Sequence, residues 1–375
     1  MKVIFTEREK EQIRQTLCRW FRANQRDLPW RREYQPYQVW IAEIMGQQTQ
    51  MERVVVYFNR WMDRFPAIEA VARAREQDIL KAWEGLGYYS RARNIHRAAR
   101  KMLAAHGGQV PDRYEELLHL PGIGPYTAAA IASIAFEQDI PLIDANVERV
   151  FARLVDYAQP IKEKLARQKM KTLAADLLPA GQARIFNQAL MEFGALVCRP
   201  GSPRCPGCLL AGYCRAYRAG TVGTRPVRRE RIKKIEISMA CCILENDGRY
   251  YIQQRLADDV WGGLWEFPGG RLKSGESPEQ AARREVCEET EFTLSRLTPL
   301  ATVVHHYTKY RVTLHGFLST TADGHNVPVL HAASQYAWVP LSALADFPFP
   351  AGHRKLRAIL LEKEEAVHEK TNKNR

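Results

Sequence analysis

The chain has 375 residues, of which 26% are charged, and a formal net charge of +13 at pH 7. This length is enough for two or three domains, and no apolar run is long enough to span a membrane. The excess of positive charge favours a polyanionic partner, with nucleic acid as the first candidate. The N-terminal MKVIFTEREKEQ lacks the basic and apolar regions of a secretory signal, which predicts a cytoplasmic protein.

Residues 1–217 predict an all-helical domain, because apolar residues recur at helical spacing in IRQTLCRWFRA, VVVYFNRWM and IHRAARKMLAA. Residues 218–235 form a basic stretch without apolar periodicity, which is typical of an interdomain linker. Short β-branched and aromatic runs with one helical segment, PEQAARREVCEE, predict an α+β domain over 236–365. A disordered tail is expected over 366–375, and the protein is expected to be a monomer.

Two carboxylates of the helical half are candidate catalytic groups. Glu43 lies in the apolar run VWIAEIM, where partial desolvation would raise its pKa and let it act as a general acid. The alternative is a buried carboxylate paired with an arginine such as Arg32 or Arg53. Asp144, in PLIDANVERV, is by itself typical of a helix N-cap. One protonated and one ionised acid would form the pair that cleaves glycosidic bonds.

The segment LPGIGPYTAAA predicts a tight hairpin between two helices. Leu120 ends the first helix, Gly122 and Gly124 supply backbone freedom, and Thr127 begins the second helix. Such a turn exposes consecutive backbone N–H groups, so we expect a phosphate to bind there without a side-chain charge. An ordinary helix–helix connection is the alternative.

A C-x6-C-x2-C-x5-C run consists of Cys198, Cys205, Cys208 and Cys214. Thiolates this close in sequence can bind one inorganic centre, and the spacing alone leaves an iron–sulfur cluster and zinc open. A disulfide framework would require an oxidising compartment. The remaining cysteines lie in apolar sequence and predict buried thiols: Cys18, Cys241, Cys242 and Cys287.

In the C-terminal half, GGRLKSGESPEQAARREVCEET fits the spacing of a Nudix box. Glu285, Glu288 and Glu289 fall at i, i+3 and i+4, so a helix would gather three carboxylates on one face. Such a face binds hard divalent cations, and Mg²⁺ is the expected ion. The box departs from its pattern at Glu291, where a glycine is expected after the helix.

Five segments carry a resemblance to a known family: WIAEIMGQQTQ, GLGYYSRARN, LPGIGPYTAAA, IDANVERV and the cysteine run. In this order they resemble the helix-hairpin-helix DNA glycosylases with a 4Fe-4S cluster, and among these the MutY-type adenine glycosylases. The resemblance covers about residues 5–217. It implies a multidomain protein, with an all-α glycosylase domain whose cysteine loop, 198–214, holds the cluster, followed by an α+β Nudix-like domain that reads 8-oxoguanine. The implied partner is double-stranded DNA containing adenine opposite 8-oxoguanine or guanine.

The same resemblance implies individual roles. Glu43 would protonate a flipped adenine, Asp144 would stabilise the oxocarbenium-like sugar or capture it covalently, and Tyr126 and Asn146 would orient these groups. Related lyases carry a Schiff-base lysine at the position of Tyr126, so a monofunctional glycosylase is expected and a bifunctional glycosylase/lyase is the alternative. The residues expected to contact DNA are Gln48, Tyr88, Gly122, Gly124, Thr127, Tyr307, Thr308 and Lys309.

Other positions depart from the family pattern. Gly46 replaces a leucine before the QQT string and removes an apolar side chain. Residues 307–309 are Tyr-Thr-Lys instead of Phe-Ser-His, and Lys309 favours a phosphate over a base edge. We therefore expect adenine opposite 8-oxoguanine to be the substrate, with weaker discrimination against adenine opposite guanine. The box is usually eroded in this family but nearly intact here, so Mg²⁺ binding without turnover is expected and pyrophosphohydrolase activity is the alternative.

Overall fold

The structure, a computed structural model, describes residues 5–227, 234–322 and 327–373, with side chains described as far as residue 365. The chain divides into two compact units. Unit 1 comprises Met1–Arg73 and Asn94–Glu230, and unit 2 comprises Ala74–Arg93 and Arg231–Arg375. Within the described ranges no helix is both long and apolar enough to cross a lipid bilayer. The division into units places the short segment Ala74–Arg93 with the C-terminal part of the chain, which the sequence did not predict.

The N-terminal part of the chain is helical, as predicted. Its helices are α1 (Glu7–Asn24), α2 (Pro36–Gly46), α3 (Met51–Arg64), α4 (Ile68–Arg73), α5 (Glu76–Ala82), α6 (Ser90–Ala105), α7 (Tyr114–Leu118), α8 (Pro125–Ala130), α9 (Ala145–Leu154), α10 (Lys164–Leu177), α11 (Ala183–Leu196) and α12 (Arg215–Arg218). A capping box begins α1, where Thr6 and Glu9 satisfy each other's backbone N–H groups. The apolar faces of α1, α9, α10 and α11 bury one core that includes Phe21, Phe151 and Phe193. This core fixes α9 and α11, which form part of the site described below.

Two predicted boundaries shift. Helix α8 begins at Pro125 with Gly124 as its N-cap, two residues before the predicted start at Thr127, because proline's fixed φ and missing N–H suit the first helical position. The first part of the predicted linker packs on unit 1: Arg225 forms an ion pair with Asp156 at 2.8 Å, and Val227 pairs with Pro160. The rest of the linker, 228–233, lies outside the described residues.

Unit 2 is built on a mixed sheet, which confirms the predicted α+β class. Its strands are β1 (Ile235–Asn246), β2 (Arg249–Arg255), β3 (Trp265–Glu266), β4 (Gly269–Arg271), β5 (Thr298–Tyr307), β6 (Tyr310–Ser319) and β7 (Ala333–Pro340). The strand order is β3-β2-β1-β6-β5, with β4 beside β1 and β7 beside β2, and β1 and β6 run parallel. Alternate residues of β1 pack against different helices. Cys242 and its neighbours join α13 (Pro278–Thr290), while Cys241 and Ile243 join α14 (Ala351–Lys373).

Two sequence predictions in this unit are wrong. Cys287 is exposed rather than buried, because the buried positions of α13 are Ala281, Ala282, Val286 and Thr290 and residue 287 points away from that face. The backbone of α14 continues to Lys373, so the predicted disordered tail from residue 366 is helical over most of its length. The segment EKEEAVHEK consists largely of good helix formers, which explains the continuation. The other predicted buried thiols, Cys18, Cys241 and Cys242, are buried.

Candidate active site

A cavity of about 830 Å³ lies in unit 1, bordered by α2, the hairpin before α8, the start of α9, and α11. Its wall contains all four predicted catalytic residues: Glu43, Tyr126, Asp144 and Asn146. A volume of this size is typical of cavities that enclose a small organic group. The fold therefore brings together side chains that lie about a hundred residues apart in the sequence.

Glu43 has the environment of a carboxylic acid that keeps its proton near neutral pH. Burial raises the pKa of its carboxyl group to about 7, and the nearby negative charge of Asp144 adds to this effect. The Tyr126 hydroxyl donates a 2.7 Å hydrogen bond to Glu43 Oε2 and opposes the shift, as does the charge of Arg31. Arg32, one of the two alternative partners considered, instead forms an ion pair with Asp27 at 3.0 Å.

Asp144 serves as a helix cap and as a carboxylate on the cavity wall. Its Oδ1 accepts a 2.7 Å hydrogen bond from the Val147 N–H, which caps α9, and its Oδ2 accepts another of 2.7 Å from Asn146 Nδ2. Burial raises the pKa of Asp144, while these donors and the charge of Arg149 act to lower it. Hydrogen bonds of this kind hold an ionised carboxylate in one orientation. The N-cap interpretation and the catalytic one are therefore compatible.

The orientation of Asn146 depends on residues that the sequence reasoning missed. Arg149 donates to Asn146 Oδ1 at 2.7 Å and also to the carbonyl oxygens of Gly194 and Cys198, at 2.7 and 2.8 Å. Gly194 lies so close to Asn146 that an added Cβ would stand 2.6 Å from the Asn146 Cβ. Glycine is required where α11 crosses the start of α9. Arg149 belongs to the IDANVERV segment and Gly194 to none of the segments singled out above, and in both cases only the tertiary contacts reveal the role.

Another carboxylate on the cavity wall, Glu192, differs from Glu43 in having a lowered pKa. Burial acts to raise its pKa, but hydrogen bonds from Arg26 and Arg31 outweigh burial and lower the pKa to about 2. Arg26 Nε lies 2.7 Å from Glu192 Oε1, and Arg31 Nη2 lies 3.0 Å from Glu192 Oε2. Glu192 is thus a permanently ionised structural anchor, whereas Glu43 can exchange a proton.

The predicted DNA-contacting residues of unit 1 lie along the same cavity, with one correction. Gly122 has a φ of +76° and an added Cβ would stand 2.5 Å from the Asn94 Cβ, so the hairpin needs glycine there, and Gly124 has open space around it. Gln48 is exposed with a φ of +58°. Thr127 is buried, and its hydroxyl accepts a 3.3 Å hydrogen bond from Gln47. The Thr127 side chain is therefore core structure, and only its backbone could face a phosphate.

At Gly46, where the family pattern has a leucine, a Cβ would meet nothing within 4 Å. The position also borders the cavity. The glycine is therefore not required by close packing. It leaves an open place on the wall where a larger side chain would fit.

The other predicted DNA contacts lie in unit 2. Tyr88 is exposed and has a φ of +49°. Thr308 and Lys309 form the turn between β5 and β6, and Thr308 also has a positive φ, of +50°. Tyr307 packs edge-to-face on Trp261 at 5.3 Å. Left-handed non-glycine residues are uncommon, and they concentrate in turns and at functional sites.

The four cysteines of the predicted cluster loop line one small cavity of about 30 Å³, together with Arg153. All are free thiols, and burial together with neighbouring thiols raises the pKa of Cys208. Arg153 Nη1 lies 3.3 Å from Cys198 Sγ. Four sulfur donors facing one space fit the ligand chemistry of an iron–sulfur cluster. Within the described ranges, however, no three His, Cys, Asp or Glu side chains are arranged to hold a metal ion.

Neighbouring groups of the same unit engage the carboxylates of the Nudix box. Arg284 binds Glu285 and Glu288 at 2.8 and 2.9 Å and Glu276 at 2.7 Å. Glu289 points inward and accepts hydrogen bonds from the Gly269 N–H at 3.0 Å and from Gln253 at 2.9 Å. Burial and nearby Glu266 raise the pKa of Glu289 to about 8. Each of the three carboxylates expected to bind Mg²⁺ thus accepts at least one hydrogen bond from the protein, and Mg²⁺ binding stays a prediction.

Comparison with known families agrees with this architecture. Residues 41–175 match the model of the HhH-GPD superfamily of base excision DNA repair proteins, and residues 239–358 match that of the NUDIX domain. A thermostable thymine-DNA glycosylase of known structure is 28% identical, with a TM-score of 0.52, over 56% of this chain and 98% of that one. The fold is therefore that of the helix-hairpin-helix glycosylases, followed by a NUDIX domain.

Two relatives, one from a plant and one from a mammal, show which family of this superfamily the chain belongs to. The adenine DNA glycosylase of Arabidopsis thaliana is 36% identical over 75% of this chain, and that of Mus musculus is 32% identical over 80% of it. The chain spans 50% of the Arabidopsis protein and 69% of the mouse protein. The chain belongs to the adenine DNA glycosylase family.

Proposed function

We propose that this protein is a monofunctional glycosylase that hydrolyses the N-glycosidic bond of adenine mispaired with 8-oxoguanine or guanine in double-stranded DNA. The observation that carries the proposal is the pair Glu43 and Asp144 on one cavity wall, with burial raising the pKa of Glu43 to about 7. An acid with this pKa is protonated in a useful fraction of molecules at neutral pH and can still release the proton.

The proposed reaction begins with an adenine extruded from the duplex into the cavity. Glu43 donates its proton to a ring nitrogen of the base, so the C–N bond breaks with its electron pair leaving on a neutral adenine. The Asp144 carboxylate stabilises the positive charge that develops on the sugar or captures it covalently, and water then completes the hydrolysis. Tyr126 and Asn146 hold the two carboxylates by the 2.7 Å hydrogen bonds described above.

Tyr126 also favours a monofunctional glycosylase over the lyase alternative. A Schiff base with the sugar needs a nucleophilic amine, which a phenol does not provide. The product expected from this site is therefore an intact strand carrying an abasic sugar. For unit 2, the engagement of the Nudix-box carboxylates by Arg284, Gln253 and Gly269 favours a binding role over pyrophosphate hydrolysis.

The proposed cofactor is a 4Fe-4S cluster held by Cys198, Cys205, Cys208 and Cys214. When bound, such a cluster would supply a cross-link that orders the loop 198–214. Proposed DNA contacts are Gln48, Gly122 and Gly124 in unit 1 and Tyr88, Tyr307, Thr308 and Lys309 in unit 2. Backbone N–H groups and the lysine ammonium suit phosphates, while the tyrosine rings suit bases.

A strand-labelled duplex tests the proposal directly. The full chain is incubated with substrates containing adenine opposite 8-oxoguanine or opposite guanine, and each product is analysed with and without hot alkali. We expect breaks only after alkali, faster excision opposite 8-oxoguanine, and a modest preference because of Lys309. Breaks without alkali would favour a lyase, and no excision from either duplex would overturn the proposed function. An undiminished preference would contradict only the interpretation of Lys309.

A further inference from the structure

The turn Gly85–Tyr89, which contains Tyr88, has an unusual backbone. Gly85, Gly87 and Tyr88 have φ values of +105°, +73° and +49°. Glycine adopts such angles freely, but for tyrosine they are strained and persist only where the surroundings fix them. The contacts around this turn therefore determine where the exposed Tyr88 ring points.

Local contacts fix part of the turn. Trp83 Nε1 donates to the Gly87 carbonyl at 3.0 Å, and Arg91 Nη2 donates to the same carbonyl at 3.1 Å. The Arg91 guanidinium also stacks on the rings of Trp83 and Tyr88, at 5.1 and 5.7 Å. These contacts order the turn with respect to α5 and α6.

A second set of contacts attaches the turn to residues that lie more than 250 positions later in the sequence. Both polar groups of the Phe349 backbone are bound by residues that flank the turn: Glu84 Oε1 accepts from the Phe349 N–H at 2.9 Å, and the Tyr89 hydroxyl donates to the Phe349 carbonyl at 3.2 Å. Phe349 itself is fully buried. Glu84 and Tyr89, which lie before and after Tyr88 in the sequence, therefore both bind the Phe349 backbone.

Glu84 also forms ion pairs with two basic side chains. Its Oε2 accepts from Lys81 at 2.7 Å and from Arg357 at 3.3 Å, and the side chains of Glu84 and Arg357 are only 9% and 10% exposed. Arg357 also donates to the carbonyl groups of Leu344 and Phe347, at 3.1 and 2.9 Å. A buried carboxylate with three donors leaves an unpaired cation behind when it is removed.

We propose that Glu84 is a positioning residue. Its hydrogen bond with the Phe349 backbone and its ion pair with Arg357 hold the Gly85–Tyr89 turn in the conformation in which Tyr88 contacts DNA. The proposal rests on the proposed function, because it takes Tyr88 to contact the duplex. It gives the C-terminal part of the chain a role in DNA binding that is separate from that of residues 307–309.

A double-mutant cycle tests the proposal in the full-length, iron-loaded protein. The variants are Glu84→Ala, Tyr88→Ala and their combination, and the readout is the Kd for a duplex in which a non-hydrolysable adenosine analogue faces 8-oxoguanine. We expect Glu84→Ala to raise the Kd about tenfold, a coupling of ordinary size for residues that act as one unit. In the Tyr88→Ala background the same change should raise it less than about twofold. Equal losses in the two backgrounds would overturn the proposal.

Hydrogen exchange supplies a readout that does not depend on DNA. Backbone amides of residues 85–90 should exchange faster in Glu84→Ala, and Glu84→Gln, which can still accept from the Phe349 N–H, should restore part of the protection and of the affinity. Glu76→Ala, at an exposed position of α5, is the matched control and should change neither. Unchanged exchange in Glu84→Ala would also overturn the proposal. If the alanine variant does not fold, Glu84→Gln replaces it in the cycle. Its smaller loss of affinity should again disappear in the Tyr88→Ala background, and equal losses in the two backgrounds would overturn the proposal.

The two proposals fail in different ways. Wild-type protein that leaves adenine in place would refute the proposed function, whatever Glu84 does. Normal excision combined with independent effects of Glu84 and Tyr88 would refute only the positioning role. A Tyr88→Ala variant that binds the duplex as tightly as wild type would refute the positioning role as well, since Glu84 would then have no contact to position.

Discussion

The cavity of unit 1 and the acidic helix α13 of unit 2, with the neighbouring strand β3, contain carboxyl groups whose pKa burial raises. The pKa rises to about 7 for Glu43 and for Glu266 on β3, and to about 8 for Glu289 on α13. Their surroundings differ. Glu43 borders a cavity of about 830 Å³ that also contains Asp144, whereas Arg255 binds Glu266, and Gly269 and Gln253 bind Glu289. A raised pKa therefore reports burial, and it indicates chemistry only when open space and a second functional group accompany it.

The largest expected effect comes from removing the proton of Glu43. Glu43→Gln keeps the shape and the hydrogen bond with Tyr126 but cannot donate a proton from a carboxyl group, so we expect the single-turnover excision rate to fall about a thousandfold. Glu52→Gln, at an exposed position of α3, is the control and should leave the rate unchanged. Thermal melting should show that both variants fold. A Glu43→Gln protein that excises adenine at the wild-type rate would remove the basis of the comparison.

An intermediate effect is expected at Gly194, which tests whether the cavity is preorganised. Gly194→Ala forces the new methyl group against Asn146, so Asn146 and Asp144 must shift. We expect the single-turnover excision rate to fall about tenfold to a hundredfold. The free energy of unfolding should fall by about 1–3 kcal/mol. Gly223→Ala, where a Cβ meets nothing within 4 Å, should change neither quantity. Wild-type kinetics in Gly194→Ala would show that this contact does not set the geometry of Asp144.

A near-zero effect on catalysis is expected in unit 2. Glu289 has a higher pKa than Glu43, yet Glu289→Gln should change the adenine excision rate by less than about twofold, and so should a chelator of divalent cations. The same single-turnover assay measures both. A large loss from either treatment would mean that the acidic helix takes part in excision and that the contrast between the two regions is wrong.

The last expected effect concerns the stability of unit 2 and not catalysis. Glu291 ends α13 with a φ of +61°, a conformation that glycine adopts without strain. Glu291→Gly should raise the free energy of unfolding of unit 2 by up to about 1 kcal/mol, less whatever the exposed ion pair with His331 contributes. Glu291→Ala loses the same ion pair but keeps the strain, so urea denaturation should place it below the wild type. Equal stability of the glycine and alanine variants would show that the strain is negligible.

Local sequence patterns were sufficient for the helices, the strands and the apolar surroundings of Glu43, because each depends on residues near in the chain. The contacts that orient the site were not predictable in this way. Gly194 against Asn146, and Glu192 between Arg26 and Arg31, join helices that are distant in sequence. The spacing of the Nudix box gave three carboxylates on one helix, and it also allows the i, i+4 pair of Arg284 with Glu288. It contains no information about Gln253 and Gly269, which bind Glu289 from other segments.

Thr127 shows the same limit on a smaller scale. The hairpin motif predicted Thr127 as the first residue of the helix, while the structure places Pro125 first and buries Thr127 two residues later. The segment Ala74–Arg93 is the clearest case, because nothing in its sequence indicates that it packs with residues from the other end of the chain.

The pH dependence of single-turnover excision tests the central claim, that Glu43 acts as an acid, most directly. Because Glu43 must be protonated, the rate should fall as the pH rises through about 7, the value to which burial raises its pKa. The Tyr126 hydrogen bond lowers that pKa, so Tyr126→Phe should move the falling limb to higher pH. A rate that stays constant to pH 9, or a limb that Tyr126→Phe leaves in place, would contradict the assignment of Glu43 as the proton donor.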